Sequence, residues 1–359
     1  MQSRYFPPSH LMEELRQMKL EKSLEILGYS VEQKPIYGLK LGRGDYKILA
    51  WSQMHGNETT TTKACLDLVN YLLETSQGRV LLDQLQLQLI FQLNPDGAER
   101  YTRLNANAID LNRDAVQETQ PEMTTLKTVY ADFKPDLCLN LHGQRTIFSS
   151  GDANKPATLS FLAPAANESR EITPSRLTAM QIIAQIVDEQ VVNDEWGIGR
   201  YDDTFNINCT GDYFTAQGTP TILFEAGHFP NDYKRLRTRE FVFKALLSCV
   251  KSVLTNDYQS FTKDDYFDIP ANGNHLRDLE IQNVTIVNNG EITNSSLFVQ
   301  FKEELRQGAI QFIPEYAGND SRLKGLKVIH VLSKKQTKPI DVVESSTKII
   351  KHLQSFIDF

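Results

Sequence analysis

His55-Gly-Asn-Glu58 places an imidazole and a carboxylate three residues apart, directly after the apolar run Tyr46–Trp51 and before the amphipathic stretch Thr61–Leu73. That pattern predicts a strand, a turn and a helix start. A divalent ion such as zinc accepts imidazole nitrogen and carboxylate oxygen together, and catalytic zinc sites commonly combine two His with one Glu. A second imidazole, His142, closes the apolar run Asp136-Leu-Cys-Leu-Asn-Leu-His142. A further carboxylate, Glu225, closes Thr221-Ile-Leu-Phe-Glu225. Three strand ends, each delivering a ligand or an acid/base group, predict one site at the carboxyl edge of an α/β sheet.

Metal-assisted hydrolysis also needs a base for the attacking water, a cation for the developing oxyanion and a group that holds the substrate in register. The segment Asn94–Arg113 gathers Arg and Asn residues beside an Asn94-Pro-Asp-Gly97 turn. Asn112 and Arg113 suit a substrate carboxylate, because a guanidinium matches it bidentately. Arg103 is then left for the oxyanion. Asp110 is a candidate acceptor for the outer nitrogen of a ligating His.

The set His55-x-x-Glu58, Asn94-Pro-Asp-Gly97, Arg103-x-Asn105, Asp110-Leu-Asn-Arg113, His142 and Glu225 resembles the zinc carboxypeptidase family, whose archetype is carboxypeptidase A. Motif order and internal spacing agree over roughly residues 40–250. The resemblance implies that His55, Glu58 and His142 are zinc ligands, one zinc per chain, with water as the fourth. It implies Glu225 as general base and acid, Arg103 polarising the scissile carbonyl, Asn112 and Arg113 gripping a terminal carboxylate, and Asp110 orienting His55. The family's mobile Tyr corresponds best to Tyr201, and residues around Gly211-Asp212 are expected to line the specificity pocket. A more distant likeness is to the succinylglutamate desuccinylase/aspartoacylase group.

These residues need elements to carry them. Helical spacing of Leu11, Leu15, Met18, Leu24 and Leu27 predicts a helix over 9–28. Strands are expected at Val31–Tyr37, Tyr46–Trp51 and Leu85–Leu93, with a turn at Leu41–Gly44. Helices are expected at 120–133, 174–192 and Phe241–Leu254, and a loop from Trp196 to Asp212. Alternating strands and helices predict a mixed, mostly parallel α/β sheet flanked by helices. Past residue 262 the pattern changes to short strands, Leu279–Val287, Leu297–Phe301, Ala309–Pro314 and Leu326–Leu332, then a closing helix at Val343–Phe356. The expected division is a catalytic domain over 1–262 and a small β-rich accessory domain over 263–359.

The 359 residues are 40% hydrophobic, enough for a large core, and carry a net charge of −7 without a basic stripe. Nucleic acid and anionic membranes are therefore poor partners. No apolar run approaches the ~18 residues of a membrane span. The start Met1–Pro8 lacks a secretory pattern, which predicts a cytoplasmic protein. Cys65, Cys138, Cys209 and Cys249 are far apart and read as reduced thiols. His10, His275, His330 and His352 read as ordinary surface or loop residues, His228 as structural, and Lys234–Arg239 as a solvated helix start. The expected activity is zinc-dependent hydrolysis of a C-terminal amide or peptide bond. Deacylation of N-acyl amino acids is the alternative, and a metal-free binding protein is the contrasting class. The substrate is expected to bear a free carboxylate. A metal assay separates the third possibility, and a screen of peptides against N-acyl amino acids separates the first two.

Overall fold

The computed structural model describes residues 2–190, 192–331, 336, 338–355 and 357. The chain opens with α1 (Pro8–Gln17), a short 3₁₀ turn at Glu21–Ser23, and strands β1 (Leu24–Tyr29), β2 (Pro35–Gly42) and β3 (Tyr46–Ser52). Then come α2 (Thr59–Glu74), α3 (Ser76–Leu82), β4 (Leu85–Ile90), α4 (Pro95–Arg100), a 3₁₀ turn at Leu111–Arg113, α5 (Pro121–Phe133) and β5 (Leu137–Gly143). These lead to β6 (Ser149–Ser150), β7 (Ala157–Leu162), α6 (Pro174–Asp188), β8 (Gly197–Arg200), α7 (Thr210–Ala216), β9 (Thr221–Ala226), α8 (Leu236–Thr255) and α9 (Lys263–Phe267). The rest is β10 (Asn272–Gly273), β11 (Leu276–Asn288), β12 (Glu291–Arg306), β13 (Ala309–Gly318), β14 (Lys324–His330), β15 (Ile340–Asp341) and α10 (Ser346–Gln354).

The main sheet has the order β1-β2-β4-β3-β5-β9-β7-β8. Its centre, β4-β3-β5-β9, is parallel, as the sequence predicts, while β1, β2 and β7 join antiparallel. Central strands buried on both faces read as continuous apolar runs. Ile48 and Ala50 of β3 pack with α2, α6 and α8, whereas Leu49 and Trp51 pack on the other face with α5 and α7. From Leu276 the chain forms a second sheet, ordered β13-β12-β11-β14 with β15 beside β11, whose own core includes Ile349, Ile350 and Leu353 of α10. No helix among the described residues is long and apolar enough to cross a membrane.

Several boundaries differ from expectation. The helix predicted over 9–28 stops at Gln17, and Leu24–Tyr29 is an antiparallel edge strand. Leu24 and Leu27 happen to continue the helical spacing but pack from a strand. The strand expected at 31–37 runs from Pro35 to Gly42. The Asn94–Gly97 turn is the start of α4, with Asn94 Oδ1 accepting from Gly97 N. The loop expected from Trp196 to Asp212 holds β8 and the first turn of α7. The four second-sheet strands start within six residues of the predicted positions and mostly run longer. Leu332 and Phe356, the ends of two predicted elements, and Val191 within the helix predicted over 174–192 lie outside the described residues.

Candidate active site

Three strand ends deliver the site. His55 lies three residues beyond β3, and Glu58 takes the position just before α2, where a helix N-terminus favours negative charge. The intervening turn requires Gly56: a Cβ there would stand 1.9 Å from the Gly97 carbonyl carbon. Asn94 Nδ2 donates to Met54 O, tying this turn to the start of α4. His142 is the penultimate residue of β5, and Glu225 of β9 is its direct register partner.

His55 and His142 turn their Nδ1 atoms toward Glu58, at 2.8 Å from Oε1 and 2.9 Å from Oε2. The two Nδ1 atoms are 3.1 Å apart. One donor atom from each of His55, Glu58 and His142 falls within 4.8 Å of the others, and all three residues are buried. Two imidazoles and a carboxylate crowded this closely have the composition of a catalytic zinc site. The residues present fit the ion.

Asp110 supports this centre. Its Oδ1 is 2.9 Å from His55 Nε2, and its Oδ2 accepts from Arg103 Nε and Nη2 at 3.1 and 3.0 Å. An outer carboxylate fixes which imidazole nitrogen faces inward. Arg103 also leaves Nη1 3.6 Å from Glu58 Oε1, with its side chain half exposed. Arg100, the neighbour most easily confused with it, points away and pairs with Glu32.

The charge states follow from these contacts. Burial opposes ionisation of Glu58, but His55 and His142 outweigh it and hold its pKa well below the carboxylate range. Burial likewise opposes Asp110, and His55 and Arg103 outweigh it, so its pKa also falls. Glu225 behaves oppositely. Burial, then the Glu58 charge, raise its pKa well above the usual value, and its Oε2 is buried without a partner among the described residues. A carboxyl group whose environment favours the protonated form is suited to exchanging protons.

The remaining predicted residues flank this centre. Asn112 Oδ1 accepts from Thr210 N and Oγ1 at the start of α7. Arg113 is exposed and donates to Asn112 O and Cys209 Sγ, so it makes no structural ion pair with Asp110 or Asp114. Gly211 lies against Pro164 and Asn140, and both amide atoms of Asn140 are buried without partners among the described residues. Burial pushes Asp212 up to about 7. Tyr201 follows β8 and donates its hydroxyl to Gln144 Oε1 at 2.7 Å, while burial and then Glu225 raise its pKa. Asn105 organises its own loop through Gln120 and Glu122. All four cysteines are free.

Sequence reasoning missed a group on the opposite side. Arg235, expected on a solvated helix start, is buried and donates to Gln144 O at 2.9 Å. Glu303 of β12 receives Arg4 through Nε and Nη2 and Tyr101 through its hydroxyl. A basic run gives no hint of which member turns inward, and a Glu in an alternating strand looks solvated.

The comparisons with known proteins agree with this geometry. Residues 9–154 match the family described as zinc carboxypeptidase. Carboxypeptidase 2 of Trichophyton tonsurans is 27% identical over 114 residues, 31% of this chain and 20% of that protein. Carboxypeptidase SOL1 of Arabidopsis thaliana is 28% identical over 137 residues, 33% of this chain and 28% of that one. Over residues 9–154 the chain is similar to the zinc carboxypeptidases. Its match spans only between a fifth and a third of these relatives' length. Among solved structures, a metallo-carboxypeptidase from Burkholderia cenocepacia aligns with a TM-score of 0.55 at 18% identity, over 70% of this chain and 71% of that one. A metallo-carboxypeptidase from Pseudomonas aeruginosa, solved with (2-guanidinoethylmercapto)succinic acid, aligns with the same score and identity over 70% of each chain. At this identity the likeness establishes the carboxypeptidase A-like fold.

Proposed function

We propose that the protein is a zinc-dependent hydrolase that cleaves a C-terminal amide or peptide bond. The observation that carries this reading is the convergence of His55, Glu58 and His142 within 4.8 Å, with Glu225 in register beside His142. His55 and His142, through Nδ1, and Glu58 would hold the ion. Zinc there supplies Lewis acidity and a nucleophilic water near neutral pH. Glu225 takes the proton of the attacking water and returns it to the leaving amine. Arg103, freed from Asp110 on one side, steadies the carbonyl oxygen as charge develops. Asn112 and Arg113 hold the free carboxylate of the departing residue, which makes the enzyme an exopeptidase. Tyr201 closes the opposite side through Gln144. Residues 263–359 act as an accessory domain beside the site, and we place the protein in the cytoplasm.

The test compares zinc-loaded protein on peptides with free and amidated C-termini. A charge-assisted hydrogen bond contributes about 1.5–3 kcal/mol, so amidation lowers kcat/KM by roughly ten- to a hundredfold. R113A removes most of that difference while retaining zinc. Equal cleavage of both peptides by the wild type excludes the carboxypeptidase reading. The second sheet packed beside the site keeps one other reading in play, deacylation of N-acyl amino acids. Cleavage confined to those substrates would select it.

A further inference from the structure

The end of β5 leads from the proposed metal centre into a second basic region. Arg145 lies three residues after His142, so its backbone is at most roughly 11 Å away along the chain. It lines a cleft of about 440 Å³ together with Thr146, Asn274, Arg277, Gln300 and Ala317. None of these six side chains carries a negative charge. The cleft lies where the end of β5 meets the second sheet.

The charges behind the cleft do not balance. Arg145 donates Nη2 to Asp278 at 2.7 Å, and its Nε is 3.9 Å from Glu303. Arg4 already holds Glu303 with two bonds, and Tyr233 already holds the other oxygen of Asp278. Arg235 adds another buried guanidinium, and Arg277 spends its Nη1 on Asn274 and the Leu276 carbonyl. Four guanidinium groups thus surround Asp278 and Glu303, with Glu58 a further carboxylate acting on Arg4. His228, beside Tyr233, adds no further positive charge, since burial and then Arg235 push its pKa well down. Arg145 Nε and Nη1, Arg235 Nη1, Gln144 Nε2 and Gln300 Nε2 are buried without hydrogen-bond partners among the described residues. Positive charge withdrawn from water is costly unless an opposite charge lies close.

The position gives this excess charge a use. Asn112 packs on Thr210, on the sheet face that carries α5 and α7. Arg4 reaches Thr60 of α2, and Arg235 precedes α8, on the face that carries α2 and α8. The two basic regions therefore flank the His55–Glu58–His142 centre from opposite sides. A peptide whose terminal carboxylate lay at Asn112 and Arg113 would extend its acyl portion toward Arg145.

We propose that the cleft of Arg145, Arg277 and Gln300 binds a side-chain carboxylate on the acyl side of the scissile bond, so that the protein selects acidic peptides. This rests on the hydrolase reading above. The test uses two peptides with the same C-terminal residue, one with Glu and one with Gln at the two positions before it. Zinc-loaded wild type is expected to favour the Glu peptide by about ten- to a hundredfold in kcat/KM, an advantage that shrinks as salt rises. R277Q is expected to bring the ratio near one. Titration calorimetry of both peptides against wild type and R277Q separates this site from the hydrolytic reading. Tighter binding of the Glu peptide to wild type, abolished in R277Q, upholds the site even if neither peptide is cleaved. Equal binding of the two peptides, or a preference that R277Q leaves intact, overturns it even if both are cleaved.

Discussion

Asp110 shares Oδ1 between His55 Nε2 and the Asn112 N–H, and its Oδ2 accepts from Arg103. It therefore ties the candidate metal centre to the proposed oxyanion cation. D110N keeps the shape but weakens the hold on His55. Outer partners of ligating His residues contribute about 10–100-fold to metal affinity, and a chelator-competition titration of D110N is expected to show a loss of that order. A wild-type zinc affinity in D110N removes Asp110 from this role. Glu225 makes a separate prediction. E225Q should retain zinc by elemental analysis and lose turnover by about 10²–10⁴-fold, the usual contribution of a general base. At this scale the sequence was most informative. His55, Glu58, His142 and Asp110 were legible because each closes a strand or belongs to a short motif, and they meet as expected. Arg145, Arg235 and Gln144 were not legible. Their importance comes from which surface the second sheet covers, and no local spacing records that.

Strands were legible where both faces are buried, because β3, β5 and β9 read as mostly apolar runs with a polar residue at or next to the end. Edges were harder. β1 has no such run, and its leucines mimic a helix until the antiparallel pairing with β2 is seen. The short α7 was hidden in a Gly/Asp/Asn-rich stretch. Its start depends on a distant residue, since Asn112 Oδ1 accepts from Thr210 N and Oγ1. Asn112 thus joins the proposed carboxylate grip to α7 and to the wall at Gly211. N112A leaves these two donors unpaired, at a cost of about 1–3 kcal/mol. The expected result is a lower denaturant midpoint together with a raised KM for free-acid peptides. A variant with unchanged stability and unchanged KM would show that the link is idle.

The two sheets meet across Glu303, Arg4, Arg145 and Arg235, a junction that no stretch of sequence announces. Burial opposes ionisation of Glu303, but Arg4 and then Arg235 outweigh it and bring its pKa down to about 2. A depressed carboxylate stabilises the fold above its unfolded pKa near 4.5, and that contribution is lost as pH falls toward about 2. The shift corresponds to something on the order of 3 kcal/mol. E303Q is expected to melt at lower temperature than wild type at neutral pH, with the gap narrowing as pH falls from about 5 to about 3. A constant gap across that range would place the stabilisation elsewhere. The same junction has a consequence for how the chain folds. Arg4 and Glu303 are 299 residues apart, and His55 and His142 are 87 apart. Contacts this distant in sequence form slowly, because the intervening loop must close before they repay its entropy. The ligands can therefore converge once β5 is in place, long before β12 arrives. In a refolding time course, zinc capture should precede burial at the junction, leaving an intermediate that already holds metal while Arg145 and Arg235 are still in water.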